Sequence, residues 1–492
     1  MPDQYGMIVD GRQTQALGGE TFEVRNPANT DEIVGLVARG TREDVRRIIA
    51  SAEQARRTTW WPRLHESRGG GRVLLRYAAL VEERKRDLAR LLTREQGKVY
   101  RESLSEIESL INTFDYYAGY GGKIPGSVVL ARDGDNILKL ETRKYPIGIC
   151  AAILPFNFPV SLYAWKVAPA LMAGNAVVIK PASTAPLTDI VLTQMLHEAG
   201  VPAGIASVIT GPAASAGDEL IRHPAVKKIA LTGSTETGKA VYEAAAAGLK
   251  HLTLELGGSD PTVVCDDADL AAAAETIVRS GRFRNAGQSC TSVKRVFVFE
   301  RIFDRFSELV AEQARKMRLG DGLQDGTDMG PLNNAQVRSD VEKLLRDAVQ
   351  RGAFVAAGGG RPSGAAYEKG FFLQPTVLLD VPTDAAIWRE ECFGPVLPLM
   401  RVRDLDEAIA RANESPYGLG SAIWSTNDKA IETFVDRIDA GMIWVNYKPI
   451  SLPEAPFGGV KDSGIGRELG WEGLDAYLET KSVRKYIGKA ES

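Results

Sequence analysis

From residue 153 onward the chain alternates short, β-branched apolar runs with segments of helical period, and this alternation restricts the fold more than any other feature. ILPF (153–156), AVVIK (176–180), IASVIT (205–210), KKIALT (227–232) and PTVVC (261–265) read as buried strands. Residues 188–200 and 237–248 between them read as helices. Strands apolar along their whole length are buried on both faces, which calls for parallel sheets covered by helices on either side. The pattern resumes after residue 265 with RVFVF (295–299), a helix through EQARKM (312–317), AFVAAGG (353–359), TVLLDV (376–381), LPLMRV (397–402), SAIWS (421–425) and MIWVN (442–446). A second α/β unit starting near residue 257 is therefore expected. Residues 127–146 differ, reading as two strands around Arg-Asp-Gly-Asp, a hairpin turn. Its exposed edge is expected to be covered by another subunit.

Charge and composition remove several classes of function. The 492 residues suggest about three domains or two large ones. With 60 basic against 63 acidic side chains the net charge is −3, which lacks the footprint of a nucleic-acid binder. No apolar run approaches the ~20 residues needed to cross a bilayer. The N-terminal residues 1–13 have neither the basic nor the apolar region of a signal peptide. Cys150, Cys265, Cys290 and Cys392 form no CxxC, and the expectation is a reducing, cytoplasmic setting. His65, His197, His223 and His251 show no zinc-ligand spacing, so no metal is expected.

Several motifs carry two readings each. Gly233-x4-Gly238-Lys239 nearly spells a phosphate loop, but Ala240 stands where Ser or Thr would hold magnesium. What survives is a Gly-Ser-Thr turn opening a helix, either an anion site or, more simply, an N-cap. No GxGxxG fingerprint is present. Cys290 lies among Gly, Asn, Gln, Ser and Thr, with Arg282, Arg284, Lys294 and Arg295 close in sequence. Cationic surroundings would lower its pKa, so nucleophile and inert thiol both stand. Cys150 and Cys265 fall in apolar runs and read as core, while Glu390 and Glu391 argue against a reactive Cys392. Glu255, between leucines and before Gly-Gly, is either a general base with a raised pKa or a solvent-facing strand end. Asn157, in LPFNFP, is either an oxyanion donor or a turn cap.

Taken together, LPFNFP, GNAVVIKPA, LTGST, LELGG, NAGQSC, EECFGPV and PFGGVKDSGIGRELG resemble the NAD(P)-dependent aldehyde dehydrogenase superfamily, in its order and spacing, from about residue 8 to 485. The resemblance implies an α/β fold of two Rossmann-like parallel-sheet domains and a small β-hairpin oligomerisation arm. On that pattern residues 1–125 and 146–256 would form the cofactor domain, 257–457 the catalytic domain, and 126–145 with 474–492 the arm. It implies Cys290 as nucleophile, Glu255 as base and Asn157 as oxyanion donor. Lys180, Ser183, Gly233, Ser234, Glu391, Phe393, Pro155 and Phe156 would contact NAD or NADP. A Glu at the Glu255 position favours hydrolysis over acyl transfer to coenzyme A. The partners implied are a small-molecule aldehyde and further copies of the chain, as homodimer or homotetramer, with no nucleic acid and no membrane.

Two positions depart from well-known members. Strictly NAD-dependent ones usually carry Glu where Ser183 stands, so the site leans towards NADP⁺ or dual use. Succinic-semialdehyde dehydrogenases place an Arg at the Trp165 position; here Arg284 and Ser451 match but the cation pair is broken. Phe158, Leu162, Trp165 and Phe457 would line an apolar tunnel, with Arg284 either reaching a polar substituent or serving a structural ion pair. An aromatic or medium aliphatic aldehyde is expected first, and a carboxylate-bearing semialdehyde second. A nucleotide-binding protein or a silent homologue are the alternatives from other classes, against which Cys290, Glu255 and Asn157 all argue.

Overall fold

The computed structural model describes residues 2–66 and 69–490, the side chains of 64–66 excepted; residues 1, 67, 68, 491 and 492, at positions assigned above to the cofactor domain and the arm, lie outside the described residues. The expected alternation builds two large sheets. In the first, His251–Glu255, Val226–Thr232, Ile149–Ile153, Ala176–Lys180 and Ala206–Val208 lie parallel in that spatial order. Short antiparallel strands close its two edges: Gly464–Ile465 on one side, Met7–Val9 and Arg12–Thr14 on the other. The chain enters at Ile149–Ile153, builds outward through 176–180 and 206–208, then crosses to 226–232. The winding therefore reverses between Ile149–Ile153 and Val226–Thr232, where open α/β sheets present their ligand crevice.

The second sheet runs Phe354–Ala357, Thr376–Leu379, Val396–Val402, Arg295–Phe299, Pro261–Val264, Gly420–Trp424, Met442–Val445. All of its pairings are parallel except that of Phe354–Ala357. Each sheet has its own apolar core, and the helices covering them start on side-chain caps such as Thr41, Ser234, Asn334 and Asp404. Helix Pro159–Met172 is buried on every face, consistent with its nearly continuous apolar sequence.

One expected strand is displaced. ILPF (153–156) is not a strand; the strand is ICAAI, ending at Ile153. Pro155 has no N–H to donate, so pairing stops and the chain turns out of the sheet. Leu154 still donates to the Lys180 carbonyl at 3.0 Å.

The hairpin forms from Val128–Asp133 and Asn136–Pro146 around Gly134. The chain's own C-terminal strand, Leu478–Lys489, pairs antiparallel along Asn136–Pro146 and covers one edge. The other edge, carrying Val128, Val129 and Leu130, is exposed in the single chain.

Candidate active site

The C-terminal ends of the first sheet's strands bring together Asn157, Lys180, Gly233 and Glu255. Cys290 arrives from the second half by an unusual path. Asn285, Ala286 and Gly287 are consecutively left-handed (φ 51°, 52° and 75°), and a Cβ at Gly287 would lie 2.3 Å from the Gly394 carbonyl. Such backbone strain persists only where the surroundings impose it. Here they are hydrogen bonds that tie this turn to the Asn157 loop. Asn157 Nδ2 donates to the Gln288 carbonyl at 3.1 Å, and Asn285 Nδ2 donates to the Asn157 carbonyl at 2.8 Å. One amide N–H of Asn157 is thereby used and the other is left for a further acceptor. Lys98 Nζ donates to the same Asn157 carbonyl at 2.7 Å and pairs with Glu106, both fully buried. Glu106 in turn accepts from Val160 N and Ser161 N (2.9 and 3.0 Å), capping the helix that follows.

The cations near Cys290 in sequence are engaged elsewhere, which corrects the expectation of a lowered thiol pKa. Arg282 donates to the Val396 and Cys392 carbonyls and to Ser292 Oγ, and Arg295 to the Ser259 and Ala412 carbonyls. Arg284 stacks 5.0 Å over the Phe158 ring. Of these cations Lys294 lowers the thiol pKa, but burial first, and then Glu255, Asp260 and Glu391, outweigh it and push Cys290 up to about 12. The resting group is a thiol. Cys150, Cys265 and Cys392 are also raised by burial, Cys392 chiefly so and less by Glu391.

Glu255 does not face solvent. It is 2% exposed, and neither carboxyl oxygen has a hydrogen-bond partner among the described residues. Burial first, and then the charge of Glu468, hold its pKa well above the ordinary carboxylate range. Behind it, Glu468 pairs with Lys166 at 2.8 Å, and Lys166 donates to Thr232 Oγ1 at 2.6 Å. Glu468, Lys166, Lys98, Glu106, Asn285 and Gln288 were all missed as site residues. A buried lysine inside the apolar run of helix 159–172 was the one available signal.

On the cofactor side, Lys180 is 6% exposed, and among the described residues its ammonium reaches only the Pro181 carbonyl, at 3.5 Å. Burial lowers its pKa. A nearly unpartnered buried cation at the crevice fits the hydroxyls or phosphate of an adenosine ribose. Ser183 lies exposed in the turn just beyond. Ser234 is the N-cap of helix Thr235–Ala246, its Oγ accepting from Thr237 N at 3.2 Å, and Gly233 N donates to the Glu255 carbonyl at 3.0 Å. Lys239 is paired with Asp462 at 2.9 Å, which removes the last support for a phosphate loop. Phe156 meets Phe393 edge-on at 5.9 Å, with Pro155 half-buried beside Phe156. Glu391 accepts from Gly258 N at 3.2 Å. The residues present fit a dinucleotide laid across the strand ends.

On the opposite side, Trp165 and Phe457 pack at 4.6 Å, both buried, with Leu162 on the same helix as Trp165. Phe158 lies between Lys98 Nζ (4.0 Å) and Arg284 (5.0 Å). Arg284 makes no ion pair within 4.0 Å among the described residues; Glu102 is near enough only to act on it electrostatically. The structural ion pair is thus not formed. Ser451 is half-buried in the loop after Met442–Val445.

Among the described residues no helix is long and apolar enough to cross a membrane, and no three His, Cys, Asp or Glu are grouped to hold a metal. Two largely parallel sheets wound in this way leave a crevice at the first sheet's reversal of winding, tied through Asn157 to the turn that leads to Cys290. The chain belongs to the aldehyde dehydrogenase family, whose model matches residues 14–483, and so oxidises aldehydes with NAD(P)⁺. It is 38% identical to the mitochondrial benzaldehyde dehydrogenase of Antirrhinum majus, over 97% of this chain and 88% of that protein. It is also 38% identical to the NADP(+) succinate-semialdehyde dehydrogenase GabD of Escherichia coli K12, over 96% of each. The solved betaine aldehyde dehydrogenase of Staphylococcus aureus in complex with NAD⁺ superposes with a TM-score of 0.94 at 34% identity, covering 98% of this chain and 94% of that one.

The buried Glu255 carboxyl generates a stability prediction. Its raised folded pKa means the native state retains a proton that the unfolded chain releases near the ordinary value of 4.5. Wild type is therefore penalised progressively as pH rises above that value, until the folded pKa is passed. Glu255→Gln should raise the thermal midpoint relative to wild type by an amount that grows between pH 4.5 and 8. Thermal scans across that range check it; a gap that shrinks as pH rises would contradict it.

Proposed function

We propose that Cys290 carries the reaction as nucleophile, that Glu255 is the base for thioester hydrolysis, and that Asn157 stabilises the oxyanion. The observation that carries this reading is the carboxyl of Glu255, buried without a hydrogen bond among the described residues and electrostatically coupled to the Cys290 thiol. The thiol gives its proton to Glu255 in its carboxylate form, which hands it on towards Glu468 and Lys166 and is left a carboxylate again. The thiolate then bonds to the aldehyde carbon. The oxygen that becomes negative receives the free N–H of Asn157, and removing one such donor typically costs about 10²–10³ in kcat. A bound nicotinamide would supply the hydride acceptor, and loss of hydride from the thiohemiacetal carbon would leave a thioester on Cys290. Glu255 withdraws a proton from water, the water adds to the thioester carbonyl, and the carboxylic acid departs as the thiol re-forms. Lys180, Ser183, Gly233, Ser234, Glu391, Phe393, Pro155 and Phe156 hold the dinucleotide in this reading.

The substrate we favour is an aromatic or medium aliphatic aldehyde, seated against Phe158, Leu162, Trp165 and Phe457. The benzaldehyde dehydrogenase relative supports it. A carboxylate-bearing semialdehyde is the second reading, favoured by Arg284, which makes no ion pair among the described residues, and by Ser451; the relative GabD acts on such a compound. The exposed apolar edge at Val128–Leu130 favours a homodimer or homotetramer. A cytoplasmic location is part of the proposal.

Cys290→Ala should abolish oxidation while leaving cofactor binding intact; turnover within about tenfold of wild type would overturn the assignment. Glu255→Gln should release a stoichiometric burst of NAD(P)H before slow turnover. Loss of the burst would count against Glu255 as the hydrolytic base.

Cofactor choice follows from Ser183. A Glu there would accept from both ribose hydroxyls but repel a 2′-phosphate. With Ser183, Lys180 meets that phosphate unopposed, and a charge-assisted hydrogen bond is worth about 1.5–3 kcal/mol, roughly 10- to 150-fold. We expect kcat/KM for NADP⁺ to equal or exceed that for NAD⁺, and Ser183→Glu to reverse the order. Both cofactors measured with one aldehyde at fixed ionic strength decide it; NAD⁺ favoured more than about tenfold by wild type would contradict it.

A further inference from the structure

Lys294 sits between the nucleophile and the carboxylate that faces the cofactor. Its side chain is 1% exposed. The ammonium has three protons and three acceptors: the Ser289 carbonyl at 2.9 Å, the Cys290 carbonyl at 2.5 Å and Glu391 Oε1 at 3.0 Å. The same Glu391 oxygen accepts from Gly258 N, and Gly258 lies flat against Cys290, where a Cβ would be 2.9 Å from the Cys290 carbonyl. Glu391, Gly258 and the Cys290 main chain thus close a ring around one buried cation. Asp260 stands on the same side of Gly258, its Oδ1 2.8 Å from where that Cβ would lie, and its carboxyl is raised to about 7 by burial against the opposing pull of Lys294. The charged groups acting on the thiol are Lys294, Glu255, Asp260 and Glu391, and Lys294 is the one cation.

We propose that Lys294 is a positioning residue that couples the charge state of the Glu391 environment to the reactivity of Cys290. Ribose hydroxyls donating to Glu391 satisfy part of its charge and weaken its hold on the ammonium. More of the positive field is then left to the loop that carries the thiol. The coupling rests on the reading that Glu391 receives the nicotinamide ribose and Cys290 is the nucleophile. It adds a link between the two that works before any substrate arrives. Within this ring, Lys294 holds the Cys290 backbone and sets how easily the thiolate forms.

The test is the pH profile of Cys290 alkylation by iodoacetamide, followed on the labelled peptide by mass spectrometry, with and without NADP⁺. Reading the midpoint of the profile separates thiol ionisation from steric shielding by the cofactor. NADP⁺ should lower the wild-type midpoint by about half a pH unit or more. Lys294→Gln should raise the midpoint without cofactor and show no shift on adding NADP⁺, with binding verified separately by protein fluorescence. Lys294→Arg should retain the shift. Glu391→Gln, at a partly exposed position, should lower the cofactor-free midpoint towards the value of the wild-type complex. A wild-type midpoint unmoved by bound NADP⁺, or the same shift in Lys294→Gln as in wild type, would overturn the coupling. Labelling at a cysteine other than Cys290, or full turnover by Cys290→Ala, would overturn the underlying assignment instead.

Discussion

Everything at this site depends on five residues, 256–260, that leave the last parallel strand of one sheet and enter the first strand of the other. Gly258 has no room for a side chain, since a Cβ would meet the Cys290 carbonyl at 2.9 Å, and a Cβ at Gly257 would meet Glu391 Oε2 at 2.6 Å and displace that carboxylate. The link is clamped from outside by Ser463, whose carbonyl accepts from Leu256 N and whose hydroxyl donates to the Gly257 carbonyl at 2.7 Å. The strand before the link ends on Glu255, and the loop packed on the link carries Cys290. Glu255 and Cys290, from different halves of the chain, are therefore held in register by backbone.

The electrostatic design runs against stability. Among the described residues, Glu255 is buried without hydrogen bonds and Lys180 without an acid, and Lys166–Glu468 and Lys98–Glu106 are ion pairs taken out of water. Apolar residues of similar volume would often serve the fold as well or better. Each of these groups points at, or braces a loop that points at, the crevice where the first sheet's winding reverses. The strained turn 285–287 belongs with them, since it delivers Gln288 and Cys290 to the Asn157 loop. Burial raises the Glu255 carboxyl and the Cys290 thiol together, so neither gives up its proton as readily as an exposed group would.

The sheet strands were legible because burial on both faces leaves an uninterrupted apolar signature. AVVIK and RVFVF coincide with the observed strands residue for residue. ILPF failed because apolarity was weighed above the missing N–H of Pro155. The short N-terminal strands and the helices Gly69–Gln96 and Tyr100–Ala118 drew no reading, since their polar, half-exposed faces carry neither an apolar run nor a motif. At the site, motifs located the groups that do chemistry but not the ones that brace them. Lys98 and Glu106 lie far in sequence from Asn157, and only the tertiary fold shows that they grip its loop. The thiol's environment was misjudged for the same reason: Arg282 and Arg295 are neighbours in sequence whose guanidinium groups are spent on carbonyls.

The central claim is a covalent acyl group on Cys290 awaiting water activated by Glu255. The direct measurement is intact-protein and peptide mass spectrometry of Glu255→Gln after mixing with an aromatic aldehyde and NADP⁺. The account predicts one added acyl group per chain, on the peptide containing Cys290, with mass equal to the aldehyde less two hydrogens. NADP⁺ should be required, and the group should be lost on treatment with hydroxylamine. An unmodified Cys290 while NADPH accumulates, or an acyl group on another residue, would contradict it.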